Sequence, residues 1–332
     1  MEQAKKCLIL GSNAFSGASY IDYLLEKGYE VIGCSRSVES HSAFLPYKWT
    51  TREGSFRFRQ LDLNRDLDAM MAFINQEKPA YVVNFAAQSM VAESWKNPDH
   101  WFMTNVVSTV RFHDRLRHCD FLEKYVHVTT PEVYGSTSGS IDETAPFNPS
   151  TPYAVSRAAA DMSLKSFFNA YQFPVVFTRA ANVFGPGQQL YRIIPRTILF
   201  IKLGRKLQLH GGGHSERSFI HIRDVSDATE RIMRKGIAGE CYHISTPRIL
   251  TVRNLVEMIC ERMGARFEDS VEVVGERLGK DATYSLNSNK LRTQLGWSDL
   301  IELEQGIDET IRWVEHWLKD LKTLPFDYLH KA

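Results

Sequence analysis

The chain has 332 residues, of which 43% are hydrophobic and 24% charged, and its formal net charge is +1. That length allows a large core in one α/β unit or in two lobes, while the near-neutral charge argues against nucleic acid or an anionic membrane surface as the main partner. The five cysteines contain no Cys-x-x-Cys pair, and no apolar run approaches the roughly 18 residues of a membrane span, so a cytoplasmic enzyme without a metal site is predicted.

Short apolar runs alternate with helical patterns through the first half of the chain. The runs that predict strands are residues 7–10, 30–34, 56–61, 81–86, 125–128 and 175–180. The segments that predict helices are residues 18–27, 67–76, 105–118 and 154–171. This alternation predicts an α/β fold of the Rossmann type, in which a doubly wound parallel sheet is covered by helices on both faces.

The pattern becomes less regular after about residue 182, with three consecutive glycines at 211–213 and helical patterns over 252–263 and 303–318. We therefore expect residues 1–182 to form mainly the dinucleotide-binding domain. Residues 183–332 are expected to form mainly a smaller substrate-binding lobe, with some interleaving of the chain between the two. In open α/β sheets, ligands bind at the carboxyl ends of the strands, so this lobe is expected to lie there.

The first predicted strand leads into a glycine-containing loop and a helix. The candidate dinucleotide contacts in this loop are Gly11, Asn13, Ala14, Phe15 and Gly17. Glycines permit a tight turn and let backbone N–H groups approach a pyrophosphate at a helix N-terminus. Because an alanine replaces the usual middle glycine, the loop by itself also fits an ordinary strand–helix turn; its position ahead of an α/β repeat favours the cofactor.

The ends of the second and third strands bear on which dinucleotide is used. An acidic residue after the second strand would hold the 2′-hydroxyl of NAD, but none occurs before Glu39. Ser35 and Arg36 are instead suitable donors to a 2′-phosphate, so NADP is predicted, with NAD as the alternative. Asp62 and Leu63 are candidate adenine contacts, although Asp62 is equally suited to capping a helix.

A hydroxyl, a carboxylate and a tyrosine supply the candidate catalytic groups. Thr130 and Glu132 follow the fifth predicted strand, and Tyr153 and Arg157 lie one turn apart on the next helix, hence on the same face. A cation beside a phenol favours its ionised form. Such a tyrosinate can take a proton from a sugar hydroxyl while a nicotinamide takes the hydride.

Taken together, these segments resemble the extended short-chain dehydrogenase/reductase family, and within it the nucleotide-sugar 4,6-dehydratases that act on GDP-mannose or dTDP-glucose. The matching segments, in chain order, are residues 11–17, 84–89, 129–135, 153–157, 179–186, 217–225, 277–281 and 289–297. The resemblance implies that Ala86 and Ala87 contact the cofactor, as do Tyr153 and Arg157. The substrate contacts that it implies are Ser89, Glu132, Asn182, Arg217 and Arg277.

The resemblance also implies catalytic roles. Thr130 would hydrogen-bond the sugar 4-hydroxyl, Tyr153 would deprotonate it, and residue 157 would lower the pKa of the tyrosine and hold the nicotinamide ribose. After C4 is oxidised, Glu132 would remove the C5 proton and water would leave from C6. Return of the hydride to C6 would give a 4-keto-6-deoxy sugar nucleotide.

Two residues depart from the family pattern. Arg157 stands in place of lysine and keeps the positive charge, but it does not give up its proton. Pro131 stands where some dehydratases have an acidic aspartate, so Glu132 would serve as both base and proton donor. The alternatives left open are a 4-epimerase, a 4-dehydrogenase, a uronate decarboxylase and a catalytically attenuated nucleotide-binding partner protein.

The resemblance further implies a homodimer formed through a four-helix bundle and a role in deoxysugar biosynthesis. Residues 24–31 and the non-acidic end of the second strand look like the GDP-mannose branch, which favours a GDP-sugar as substrate. Arg192 and Arg196 are additional candidates for reaching a diphosphate, with a surface position as the alternative for each.

Overall fold

The computed structural model describes residues 5–137, 139–275 and 285–331. Its strands are β1 Lys6–Leu10, β2 Glu30–Ser35, β3 Ser55–Gln60, β4 Tyr81–Asn84, β5 Lys124–Val128, β6 Ser140–Ile141, β7 Val175–Ala180, β8 Asn182–Phe184, β9 Leu207–His210, β10 Glu216–Arg217, β11 Phe219–His221, β12 Cys241–Ile244, β13 Leu250–Thr251, β14 Val271–Val274 and β15 Ser285–Leu286. Its helices are α1 Phe15–Glu26, α2 Leu67–Glu77, α3 Pro98–Phe102, α4 Thr109–Leu116, α5 Pro152–Tyr171, α6 Ile193–Lys202, α7 Ile222–Lys235, α8 Val252–Arg262, α9 Phe267–Ser270, α10 Asn289–Leu295, α11 Leu303–His316 and α12 Leu318–Leu321.

The main sheet has seven strands in the spatial order β12-β7-β5-β4-β1-β2-β3. All of its neighbouring pairs are parallel. The order reverses at β1, which has β4 on one side and β2 on the other. In such sheets the crevice beside the reversal, at the carboxyl ends of the strands, is the usual binding site for a dinucleotide.

Both faces of the sheet are buried, which explains why β1 is apolar throughout. Cys7 and Ile9 pack on the face that carries α1, α7 and α10, whereas Leu8 and Leu10 pack on the face that carries α2, α4 and α5. Successive side chains of a strand point to opposite faces. A strand covered on both sides therefore reads as a continuous apolar run rather than an alternating one.

A π-helical turn interrupts the helical segment that lies between β4 and β5 in the chain. The turn covers Met103–Ser108 and separates α3 from α4. It places Asn105 in the interior, where its Oδ1 accepts from the backbone N–H of Gln88 at 2.9 Å and its Nδ2 donates to Oγ of Ser156 at 2.9 Å. The turn thus joins the end of β4 to the first turns of α5.

The remaining strands form short two-stranded pairs outside the main sheet: β10 with β13, β11 with β8, β14 with β9, and β15 with β6. β12 lies in the main sheet although it comes late in the chain, so the chain returns to the Rossmann core after residue 182. The division into domains at that residue stays a prediction.

The predicted fold class is confirmed, with local differences. The strand predicted over 81–86 ends at Asn84, because the amide of that side chain bonds to Tyr125 Oη and to the backbone N–H of Ala86, both at 2.9 Å. None of the described helices combines the length and the apolar character that crossing a bilayer requires.

Candidate active site and cofactor groove

The loop after β1 is shaped by two glycines. Gly11 has φ of +78°, and a Cβ there would lie 2.7 Å from the backbone nitrogen of Ala86; a Cβ on Gly17 would lie 2.3 Å from the Gly11 carbonyl oxygen. Position 14 is different, because Ala14 precedes α1 with extended φ and ψ of −74° and 151°. A side chain is tolerated there, so the missing middle glycine does not prevent the loop from forming.

A cavity of about 320 Å³ lies above this loop. It is lined by nine of the predicted cofactor residues: Gly11, Asn13, Ala14, Ser35, Arg36, Asp62, Leu63, Ala86 and Ala87. Phe15 and Gly17 are buried in the first turn of α1. The close-packed glycines and a helix N-terminus at the floor of the cavity fit the pyrophosphate of a dinucleotide.

The end of β2 presents hydroxyl and guanidinium groups to this cavity. Ser35 Oγ accepts from the backbone N–H of Asn13 at 3.0 Å. The next carboxylate along the chain, Glu39, is bonded to Tyr47 Oη and Lys48 Nζ, each at 2.8 Å. Arg36 therefore supplies a positive charge at the position where an NAD-specific site usually has an acidic residue.

Asp62 lies at the cavity and in the turn before α2, where Asp66 and not Asp62 is the N-cap residue. It lines the cavity, and its Oδ1 accepts from the backbone N–H of Asn64 at 2.8 Å. Its own backbone N–H donates to Oδ2 of Asp66 at 2.8 Å. Asp62 thus also closes the turn that leads into α2.

The structure brings together three of the predicted catalytic groups. Thr130 precedes a 3₁₀ turn over Pro131–Tyr134, and its Oγ1 accepts from the backbone N–H of Glu132 at 3.4 Å. The side chains of Thr130 and Glu132 both lie near enough to Tyr153 to affect the ionisation of its phenol. The hydroxyl, the phenol and the carboxylate form one cluster.

The environment of Tyr153 favours the neutral phenol. Burial, followed by the charge of Glu132, raises the pKa of Tyr153 to about 12, although Arg157, the hydrogen bond with Thr130 and Arg192 all act to lower it. Arg157 thus lowers the pKa of Tyr153, as predicted, but burial raises that pKa by more. A bound oxidised nicotinamide carries a positive charge and would lower the pKa of a nearby tyrosine.

Arg157 is turned into the protein interior, with only 3% of its surface exposed. Its Nη2 donates to the Val128 carbonyl oxygen and lies 3.5 Å from Nε2 of His127. Burial and the charge of Arg157 hold the pKa of His127 well below its usual range. The neutral imidazole can therefore accept a hydrogen bond from the guanidinium.

A second buried arginine lies in the same layer. Asp161 Oδ2 accepts from Arg179 Nη2 at 2.8 Å and from Thr129 Oγ1 at 2.9 Å, while its Oδ1 lies 3.5 Å from His127 Nε2. Arg179 also donates to Tyr134 Oη. This network fixes the strand end and the helix that carry the catalytic cluster.

The predicted substrate contacts other than Glu132 come from β8, from β10 and from the loop after β4. Asn182 begins β8, which pairs with β11, and its backbone N–H donates to the Ser218 carbonyl oxygen at 3.0 Å. The half-buried Arg217 is thus next to the partner strand, and its Nη1 donates to the Glu216 carbonyl oxygen at 2.7 Å. Ser89 is exposed just after β4, and Arg277 lies outside the described residues.

Several groups in the groove were not predicted as site residues. Gln88, Thr104 and Tyr191 line the cavity, as do Tyr328, Leu329 and Lys331. Gln88 had a usable signal, because it is the variable position between Ala87 and Ser89 in a predicted motif. No sequence pattern marks Tyr328, Leu329 or Lys331 as residues of the groove.

A doubly wound parallel sheet with a glycine loop at its reversal point, and with a threonine beside the tyrosine of a Tyr-x-x-x-basic helix, defines an extended short-chain dehydrogenase/reductase. The sequence model of the family described as GDP-mannose 4,6 dehydratase matches residues 8–310. The chain belongs to this family.

Individual relatives agree with this assignment. The dTDP-D-glucose 4,6-dehydratase of Homo sapiens is 31% identical over 318 residues, which cover 93% of this chain and 90% of the relative. The dTDP-glucose 4,6-dehydratase of Streptomyces niveus is 35% identical over 247 residues, or 73% of each chain. The solved structure of a dTDP-glucose 4,6-dehydratase from Bacillus anthracis, in complex with NAD, has a TM-score of 0.86 at 28% identity and covers 96% of this chain and 99% of that one.

These comparisons confirm the predicted family, the Rossmann-type fold and the enzyme class, a nucleotide-sugar 4,6-dehydratase with a nicotinamide dinucleotide as cofactor. Among the described residues, no group of three or more His, Cys, Asp and Glu side chains is arranged to hold a metal ion.

Proposed function

We propose that this protein converts a nucleotide-diphosphate hexose into its 4-keto-6-deoxy derivative, with Thr130, Tyr153 and Glu132 as the catalytic residues. The observation that carries the proposal is that Thr130 and Glu132 both lie close enough to Tyr153 to affect its phenol. Asn105 links this cluster to the cofactor groove, because it bonds both Gln88 in the groove and Ser156 on the helix of Tyr153.

Each residue has a distinct task. Thr130 orients the sugar 4-hydroxyl, and Tyr153 takes its proton as C4 becomes a ketone. The ketone acidifies the C5 proton, which Glu132 removes; the protonated carboxyl then donates to the hydroxyl that leaves C6. The buried Pro131 contributes no acid, so Glu132 performs both transfers.

The carboxylate at 132 separates this reaction from epimerisation. A 4-epimerase needs a base only at the 4-hydroxyl, whereas loss of water across C5 and C6 needs a second base near C5. In the turn after Thr130, the backbone N–H of Glu132 donates to the threonine hydroxyl, which keeps Glu132 beside Thr130. This position supports dehydration over the 4-epimerase and 4-dehydrogenase alternatives.

We propose NADP as the preferred cofactor, held at the pyrophosphate by the Gly11–Gly17 loop and at the 2′-phosphate by Arg36 with Ser35. When bound, the nicotinamide would supply a hydride acceptor for C4 and a hydride donor for C6. As C5 takes up a proton in that last step, Tyr153 gives back the proton that it took from the 4-hydroxyl, so the protein ends in its starting state. The guanidinium at the end of β2, and the engagement of Glu39 by Tyr47 and Lys48, support NADP. NAD is the alternative, since the Bacillus anthracis relative is in complex with NAD.

For the substrate we propose a GDP-sugar, bound at the diphosphate by Arg217 and Asn182, with Arg277 and Ser89 as further contacts. The matched family is described by GDP-mannose, which supports guanine as the base of the substrate. The human relative is named for dTDP-D-glucose, so thymine is the base to test against it.

We also propose a homodimer that forms through α4, α5 and the turns before them. Large apolar side chains are exposed on α3, on the turns on either side of it and on α5: Trp95, Phe102, Met103, Val155, Met162 and Tyr171. Large apolar side chains exposed on neighbouring elements favour an interface between subunits. Sedimentation of the purified protein would separate a dimer from a monomer, and Met162→Glu is expected to shift the balance toward the monomer.

The decisive experiment is mass spectrometry of GDP-mannose, dTDP-glucose and UDP-glucose after incubation with the protein and either NADP or NAD. A product lighter by one water, without net consumption of cofactor, is expected. Loss of two hydrogens with stoichiometric reduced cofactor would instead establish a 4-dehydrogenase. Binding without any turnover would favour the attenuated partner protein.

A further inference from the structure

A short segment near the end of the chain lies across the cofactor groove. We call residues 328–331 the strap. The chain leading into it is anchored on α6, where Phe326 packs against Phe200 with ring centroids 5.9 Å apart and Asp327 pairs with Arg196 at 2.7 Å. The strap then continues from this anchor toward the loop after β1.

The backbone of the strap joins the two sides of the groove. The carbonyl oxygen of Lys331 accepts from Arg36 Nη2 at 3.0 Å and from Gln88 Nε2 at 2.6 Å. Arg36 follows β2 and Gln88 follows β4, and these strands flank β1 in the sheet. One carbonyl oxygen of the strap is therefore bonded to residues on both sides of the crevice that contains the loop after β1.

Side chains of the strap add further contacts. His330 Nε2 lies 2.8 Å from His100 Nδ1, and its ring stacks on Trp101 with centroids 5.0 Å apart and planes 13° apart. Tyr328 meets the ring of Tyr191 edge to face at a centroid distance of 5.5 Å. Trp101 is fully buried in this arrangement.

The strap covers the groove and does not fill it. Tyr328, Leu329 and Lys331 line the same 320 Å³ cavity as the glycine loop, which places the cavity between the strap and the floor. Lys331 Nζ lies 3.4 Å from Ser37 Oγ. A second cation thus stands beside Arg36 at the end of the groove assigned above to the 2′-phosphate.

We propose that the strap retains the dinucleotide between turnovers and that Lys331 contributes to holding its adenosine end. This inference rests on the proposed function, because in that reaction the cofactor ends each turnover in its starting redox state and has no need to leave. Release requires the Lys331 carbonyl to separate from Arg36 and Gln88, and His330 to separate from Trp101. Slow exchange of the cofactor follows from that requirement.

The test measures release of the dinucleotide in the absence of any sugar. NADPH bound to the purified full-length protein is chased with excess NADP, and its fluorescence gives the dissociation rate. A variant that lacks residues 328–332 is expected to release NADPH at least about tenfold faster, which corresponds to about 1.4 kcal/mol. His330→Ala is expected to have a smaller effect, and His330→Phe, which keeps a ring against Trp101, a smaller effect still.

Lys322→Ala serves as the control, since Lys322 is exposed and lies outside the groove. Its release rate should equal that of the wild type, and matching circular dichroism and melting curves would show that all variants fold. Unchanged release from both the shortened variant and His330→Ala overturns the proposal. Slower release or tighter binding without the strap also overturns it, because the strap would then be inhibitory. If the wild type binds neither NADPH nor NADH, the proposed function itself fails, and the strap proposal fails with it.

Discussion

The two ends of the site are built by different means. At the cofactor end, backbone groups and the absence of side chains create the space, as at Gly11, where a Cβ would lie 2.7 Å from the backbone of Ala86. At the catalytic end, buried charged side chains set the chemistry, with Arg157 and Arg179 both less than 5% exposed. The first end is thus governed by steric fit, and the second by the balance between burial and charge.

The largest effect expected at the catalytic end is that of Glu132→Gln. Water loss should fall by at least about 100-fold, because the amide can neither take the C5 proton nor donate one to the leaving hydroxyl. Oxidation at C4 should remain measurable as reduced cofactor formed with the sugar. Glu123→Gln, at the opposite end of β5, is the control. Normal dehydration by Glu132→Gln would show that another group is the base.

Replacing Arg157 tests whether charge at this end controls Tyr153. Arg157→Met removes a group that lowers the pKa of the tyrosine, so C4 oxidation should slow by about tenfold for each unit by which that pKa rises. Arg157→Lys keeps the charge but lacks the guanidinium fork that faces Val128 and His127, and a smaller loss is expected. The pH profile of C4 oxidation should move to higher pH in Arg157→Met. A faster Arg157→Lys enzyme would mark the arginine as a defect.

At the cofactor end, Arg36→Ala should change selectivity rather than chemistry. The ratio of NADP to NAD affinity is expected to fall by about tenfold or more, because a charge-assisted bond to the 2′-phosphate is lost while the pyrophosphate loop is intact. Dissociation constants for both dinucleotides provide the measurement, with the exposed Arg65→Ala as control. An unchanged ratio would assign the discrimination to other groups.

A smaller effect concerns stability in acid. Burial lowers the pKa of His113 from 6.5 to about 4, so at intermediate pH the unfolded chain binds a proton that the folded chain does not. Stability from this group is complete above about pH 6.5 and is lost as the pH falls toward 4, by roughly 3 kcal/mol in total.

Thermal melts between about pH 7 and about pH 4.5 would measure this loss. In His113→Leu the decrease in melting temperature over that range should be smaller than in the wild type. An equal decrease in both proteins would assign the acid sensitivity to other buried histidines, of which His221 has a pKa lowered to about 4.

The sequence was sufficient for several local features, but not for all of them. The strand over Val175–Ala180 was predicted with its observed bounds, because a short β-branched and aromatic run has few other conformations that bury it. The helix predicted to begin at residue 105 instead continues from α3 through a π-helical turn. The signal for the earlier start is Pro98, at a first helical position that suits proline.

Contacts between segments that are far apart in the sequence could not be predicted. The strap reaches Gln88 across 243 positions of sequence and Arg36 across 295, and no local pattern marks either contact. The net pKa of Tyr153 was likewise inaccessible, because it depends on how deeply the fold buries the phenol. From the sequence, only the sign of the contribution from Arg157 followed.

The contrast between Ala14 and its neighbouring glycines has a consequence for the divergence of such loops. Substitution at Gly11 or Gly17 collides with backbone atoms, so mutational paths through those positions are closed. Position 14 has backbone angles open to any L-residue, so its backbone does not require glycine. A search pattern that demands all three glycines equally would pass over chains like this one, whereas a pattern that weights the outer two would retain them.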